Sequence, residues 1–129
     1  MDASALVKRY VSEAGSDTVR DAMAGATSWF TCRIGFVETL RAVGLSVGAA
    51  ATKVVREEWP AFGAVEVDQV LVEDAAKLAI EHGLRSLDAL HLAAALTIPH
   101  DDLVLATWDR RLHRAARSQG LRLVPDVLD

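Results

Sequence analysis

Asp102-Leu103-Val104-Leu105-Ala106-Thr107-Trp108-Asp109-Arg110-Arg111-Leu112 is the stretch whose reading decides the fold. Leu103, Val104 and Leu105 form a continuous apolar run, expected of a strand covered on both faces. Asp109 stands where the strand ends and a helix begins, as an N-cap whose carboxylate accepts from the first-turn N–H groups. The helix it opens runs from Arg110 to Gln119 and closes at Gly120, and Leu121 to Val124 reads as a last short strand. Strand, helix and strand in that order imply a parallel α/β arrangement.

The same grammar extends toward the N-terminus. Ser86 suits the N-cap of a helix that turns Leu87, Leu90, Ala94 and Ile98 inward and stops before Pro99. Glu73 to His82 reads as a helix stopped by Gly83, a normal C-terminal glycine. Helices are expected over about Ile34–Val47 and Ala49–Trp59, the second ended by Pro60. Val65 to Val67 and Ser28 to Cys32 are short β-prone runs, and Asp17 to Ala24 a short helix. Met1 to Val11 reads as a strand end followed by a helix with Leu6, Val7, Tyr10 and Val11 on one side.

Composition is consistent with one globular domain over residues 1–129, at 51% hydrophobic and 25% charged residues. A single cysteine, Cys32, excludes an internal disulfide and suits a reducing, cytoplasmic setting. No leader pattern or membrane-length apolar run is present. The net charge of −4 argues mildly against nucleic-acid binding through overall charge. Acids gathered in one cation site would change that balance locally. Arg110, Arg111, Arg114 and Arg117 fall at helical spacing, and Lys8 and Arg9 lie near Asp2.

Four acids stand at the places where ligands bind in a parallel α/β sheet, the crevice at the carboxyl ends of the strands. Asp2 and Asp109 directly follow strand ends, and Asp88 lies in the first turn of its helix. Alone, Asp88 is what the helix dipole favours on any surface. Glu38 shares a stripe with Ile34, Arg41 and Leu45, where a partly buried carboxylate needs a partner. From that helix alone, an ion pair with Arg41 and a site role are equally open. Together the four suit a hard divalent cation, which takes carboxylates, water and substrate phosphate as ligands. Such an ion supplies what phosphodiester hydrolysis needs. Cys32 shows no nucleophile partner, the histidines show no zinc spacing, and no glycine-rich phosphate loop is present.

At these residues the chain resembles the PIN-domain family, and within it the VapC-type toxins. The matching stretches are Asp2-Ala-Ser-Ala-Leu-Val-Lys, Glu38 with Arg41, Ser86-Leu-Asp-Ala-Leu-His-Leu-Ala-Ala-Ala, and Leu105-Ala-Thr-Trp-Asp109-Arg-Arg-Leu. The resemblance implies a three-layer α/β/α fold around a mostly parallel sheet, and a Mg²⁺- or Mn²⁺-dependent endoribonuclease. It implies Asp2 and Asp88 as principal metal ligands, with Glu38 and Asp109 completing the pocket and Ser4 and Thr107 in support. Arg41, Trp108 and Arg110 are the candidates for touching RNA, Trp108 by stacking on a base. A homodimer and a cognate VapB-type antitoxin are the implied partners. The apolar residues of the helix pair Ile34–Phe62 suit such an interface. The alternative is a PIN-like module that binds RNA or protein with little catalysis. Met1 directly precedes Asp2 where the family has an apolar strand, so either the first strand is cut to a stub or the native chain begins upstream.

Overall fold

The computed structural model covers residues 1–129. In chain order it comprises α1 (Ala3–Tyr10), α2 (Ser16–Gly25), β1 (Trp29–Cys32), α3 (Gly35–Ser46), α4 (Ala49–Glu58), β2 (Phe62–Val65), α5 (Gln69–His82), α6 (Ser86–Thr97), β3 (Val104–Ala106), α7 (Arg110–Ser118) and β4 (Arg122–Val124). A 3₁₀ turn, Trp59–Ala61, carries Pro60 between α4 and β2.

The strands lie between two layers of helix because their side chains alternate in direction. Leu105 and Leu123 point into one core with α5, α6 and α7, where Leu71, Leu78, Leu92 and Leu112 pack. Ala106 and Val124, one residue on, face the other core, built from Ala5 and Leu6 of α1 and Val19 and Met23 of α2. This is the expected α/β/α layering. α1 is tied further to the end of α4, where Glu58 accepts from Arg9 and, at 2.7 Å, from the Tyr10 hydroxyl.

The strands form two parallel pairs, β1 with β2 and β3 with β4. Every pairing is parallel, as expected of the sheet, which is divided into these two pairs. Met1 and Asp2 pass between the pairs as a two-residue stub: the Met1 amino group donates to Phe30 O at 2.9 Å and the Asp2 N–H to Ala106 O at 3.3 Å. Beyond that link the facing edges of β1 and β3 border a cavity of about 520 Å³. Val104 lines it and is 42% exposed, so the apolar run 103–105 is covered on both faces only in part. No helix is long and apolar enough to cross a membrane.

Register accounts for the shift of β2 to Phe62–Val65. Phe62 pairs opposite Trp29 across the strands, and their rings lie 5.5 Å apart. The aromatic pair fixes which residues of the segment form the strand. α5 begins at Gln69, earlier than the apolar pattern indicates, because Asp68 caps it by accepting from the Leu71 N–H at 2.9 Å. α6 turns Ala89, His91, Leu92, Ala93, Ala94 and Ala95 inward, while Leu87, expected inside, is exposed.

Candidate active site

Asp2, Glu38, Asp88 and Asp109 each stand at the N-terminus of a different helix. Asp2 and Asp109 are the N-caps of α1 and α7, and Glu38 and Asp88 lie in the first turns of α3 and α6. The unsatisfied N–H groups and the positive end of each dipole favour a carboxylate there.

Asp2 is the most firmly held. It is buried; its Oδ1 accepts from the Ala5 N–H at 3.1 Å and from Ser4 Oγ at 2.7 Å, and its Oδ2 from Thr107 Oγ1 at 2.7 Å. The two hydroxyls are themselves locked to the strand end. Ser4 Oγ accepts from the Trp108 N–H at 2.8 Å, and Thr107 Oγ1 from the Asp109 N–H at 3.1 Å. One polar network therefore joins the start of α1 to the turn between β3 and α7. Ser4 and Thr107 each donate to one oxygen of Asp2.

Asp109 accepts from the Leu112 N–H at 2.8 Å through Oδ1, which leaves Oδ2 to face outward. There it meets Arg85, whose guanidinium donates to Asp109 Oδ2 and to Asp88 Oδ2, each at 3.0 Å. Burial pushes the Asp88 carboxyl above its ordinary range, and the negative charges of Asp109 and Asp2 add to that against the opposing pull of Arg85. Asp2, Asp88 and Asp109 thus share one electrostatic neighbourhood that disfavours further negative charge.

Glu38 is placed differently. Its Oε1 lies 2.7 Å from Nε2 of the buried His91, on α6, while Arg41, one of the two alternatives open for it, is exposed and makes no ion pair with it. The inward face of α3 is Gly35, Thr39 and Val43, not the stripe of Ile34, Glu38, Arg41 and Leu45. Gly35 is required for the packing of α3 on β1, since a Cβ there would sit 2.6 Å from Thr31 Oγ1. His91 finds its partner across the fold, as the group that holds Glu38.

No three of the His, Cys, Asp and Glu side chains converge closely enough to grip an ion in the arrangement they adopt. Each acid is engaged within the protein, with Arg85 shared by Asp88 and Asp109. The donor set nevertheless fits a hard cation: it offers carboxylate and hydroxyl oxygens without thiolate. Asp88 is destabilised as an anion, and Arg85 already brings positive charge between Asp88 and Asp109. Of the other expected contacts, Arg110 is exposed at the first position of α7. The Trp108 ring lies against Gly15, where a Cβ would come within 2.9 Å, with Lys8 Nζ over it at 5.2 Å.

The sequence model of the PIN domain matches residues 1–118. This chain belongs to the PIN-domain family. It is 34% identical to Ribonuclease VapC45 of Mycobacterium tuberculosis (strain CDC 1551 / Oshkosh) over 137 residues, which span 99% of this chain and 95% of that protein. Identity to Ribonuclease VapC49 of strain ATCC 25618 / H37Rv is likewise 34% over 137 residues, with 99% and 95% covered. Ribonuclease VapC46 of the same strain is 32% identical over 124 residues, 96% of this PIN domain and 94% of the relative. The similarity therefore runs through all four acid-bearing segments.

Sequence reasoning did not assign Arg85. Its spacing to Asp88, three residues apart, is a helical pairing distance and was the available signal. Its second contact, to Asp109, depends on how α6 and α7 sit together and has no local trace.

Proposed function

We propose that this PIN domain is a metal-dependent endoribonuclease of the VapC toxin kind, hydrolysing RNA phosphodiester bonds. The observation that carries the reading is the Asp2–Ser4–Thr107–Asp109 network beside the Asp88 carboxyl, in a chain whose relatives are ribonucleases along their whole length. Asp2 and Asp88 are assigned as the principal holders of Mg²⁺ or Mn²⁺, with Glu38 and Asp109 completing the acidic pocket. The ion, when bound, offsets charge on the phosphate and lowers the pKa of water.

The remaining work falls to the protein. Ser4 and Thr107 fix both oxygens of Asp2, so its position costs no reorganisation when RNA arrives. His91 holds Glu38 by Oε1, leaving Oε2 to orient the attacking water and accept its proton. Arg85, with a side chain 73% exposed, is free to turn from the carboxylates toward a phosphate oxygen. The water oxygen bonds to phosphorus as the P–O3′ bond breaks, and the 3′ oxygen takes up a proton. The products are a 5′-phosphate and a 3′-hydroxyl. End mapping tests this: ligation of a 3′ adaptor without phosphatase treatment succeeds on these products, and 2′,3′-cyclic phosphate ends contradict the mechanism.

Two partners belong to the same reading, a cognate VapB-type antitoxin and a second copy of the chain. Val37, Leu45, Val47 and Val54 leave an exposed apolar face on α3 and α4, with Leu45 at 74%, and we assign this face to self-association. The binding-module reading has one observation in its favour, the Arg85 bridge that ties up Asp88 and Asp109. RNA binding that ignores Mg²⁺ and survives Asp88→Asn without any cleavage would favour it.

A further inference from the structure

We propose that the cleft between the end of α5 and the outer face of α7 is a second subsite, which holds a backbone phosphate of the RNA strand beside the scissile one. The proposal rests on the ribonuclease reading and adds to it the path of the strand. The cleft measures about 250 Å³ and is lined by His82, Gly83, Arg111, Arg114, Ala115 and Ser118. No carboxylate lines it, although Glu81 has Oε1 3.8 Å from His82 Nε2.

Charge is what distinguishes this cleft. Acids outnumber Lys and Arg by 18 to 14 in the chain, and Arg9, Arg20, Arg33, Arg85 and Arg117 all have carboxylate partners. Arg111 and Arg114 have none, as is true of Arg41, Arg56, Arg110 and Arg122, but these two share one cleft. They stand with Ser118 at i, i+3 and i+7, one stripe of a helix that contains no acid. The opposite side, with Leu112, His113 and Ala116, is buried and fixes the arginines outward. Guanidinium groups suit phosphate through paired N–H donors.

The cleft shares α7 and the turn between α5 and α6 with the acid cluster. Gly83 lies two residues before Arg85, which reaches Asp88 and Asp109, and Arg111 lies two residues after Asp109. At 1.5 Å of helical rise per residue, Arg111 and Arg114 stand about 3 Å and about 7.5 Å along the axis of α7 from Asp109, with Arg111 about 200° round it. A strand with its scissile phosphate at the acids reaches the arginines by passing round the first turn of α7. The lining has no Phe, Tyr or Trp, and its one ring, His82, is held by Gln119 at 2.9 Å, so the subsite reads backbone and not base.

The test is anisotropy binding of a labelled single-stranded RNA across a salt series, in an Asp88→Asn background that keeps the RNA intact. Adding Arg111→Ala and Arg114→Ala should weaken binding about tenfold or more at low salt. It should also flatten the log–log salt slope by about 1.4, two phosphate contacts at about 0.7 each. Arg111→Lys with Arg114→Lys should keep most of the slope, and all variants should keep the parent's melting temperature. Unchanged affinity and slope would overturn the proposal, as would loss of binding that lysine fails to rescue. So would retained RNA affinity with lost binding of an acidic protein partner. Cleavage by the wild-type sequence is scored separately: no cleavage with the slope change intact defeats the ribonuclease reading alone, and cleavage with no slope change defeats the subsite alone.

Discussion

Replacing Thr107 by valine keeps the shape of a fully buried side chain and removes its hydroxyl. Two hydrogen bonds go with it: the one donated to the Asp2 carboxylate at 2.7 Å and the one accepted from the Asp109 N–H at 3.1 Å. A bond to a charged acceptor contributes about 1.5–3 kcal/mol and a neutral one about 1 kcal/mol. Burying a methyl group in place of the hydroxyl returns about 0.8 kcal/mol. The net loss is about 2–3 kcal/mol. For a chain of this size about 4 °C of melting temperature corresponds to each kcal/mol, so the midpoint should fall by about 8–12 °C. Urea titration and calorimetry of Thr107→Val beside Thr107→Ser measure it. The serine variant retains the hydroxyl and should lose about half as much or less, through a missing methyl group alone. A valine variant within 0.5 kcal/mol of wild type, or a serine variant that loses more than the valine, would refute the claim that this hydroxyl fixes Asp2.

Asp88 carries a pH dependence of definite sign. Because its carboxyl is raised in the folded protein, chiefly by burial, folding keeps a proton there that the unfolded chain gives up. Cation-free stability should fall as pH rises from about 4 through the raised value, and Asp88→Asn should remove that fall. Millimolar Mg²⁺ or Mn²⁺ should raise the melting temperature of the wild-type protein and not of the variant, by about 2.7 kcal/mol of stabilisation at a hundredfold excess over Kd. A pH profile that Asp88→Asn leaves unaltered, or an equal metal shift in both proteins, goes against the site. On α3 and α4, Leu45→Glu with Val54→Glu should convert a dimer to a monomer in light scattering behind size exclusion; a wild type that is already monomeric at high concentration refutes the assigned face.

The parts of the fold that were legible are those whose cause is local. The turn from β3 into α7 shows itself in an apolar run and a capping aspartate, and the layering follows from strands alternating with helices. The capping network around Asp2 combines the local contacts of Ser4 and Ala5 with a partner 105 residues away, Thr107, which the parallel arrangement brings alongside. Illegible were the features set by packing between elements. Glu38 meets His91, 53 residues on, because α3 and α6 both pack on β1, α3 closely at Gly35, and no spacing within α3 encodes that. The apolar stripe assigned to α3 was one residue out, since its buried side is built from Gly35 and Thr39 and not from the larger Leu45. Ser86 lacks a capping hydrogen bond: α6 starts with Arg85 in the cap position, and that side chain reaches Asp88 and Asp109 instead. The link between the two strand pairs was equally hidden: the Met1 amino group donates to Phe30 O, the Met1 carbonyl accepts from Thr31 Oγ1, and the Asp2 N–H donates to Ala106 O, partners about 30 and about 100 residues away.

The central claim is that clustered acids with a divalent cation cut RNA. It is tested most directly by incubating purified, antitoxin-free protein with a panel of structured RNAs in Mg²⁺, in Mn²⁺ and in EDTA, beside a folded Asp88→Asn variant. The account predicts discrete cuts that require the metal and vanish in EDTA and in the variant. Cuts that persist in either, or no cuts from protein with wild-type melting behaviour in the presence of metal, would contradict it.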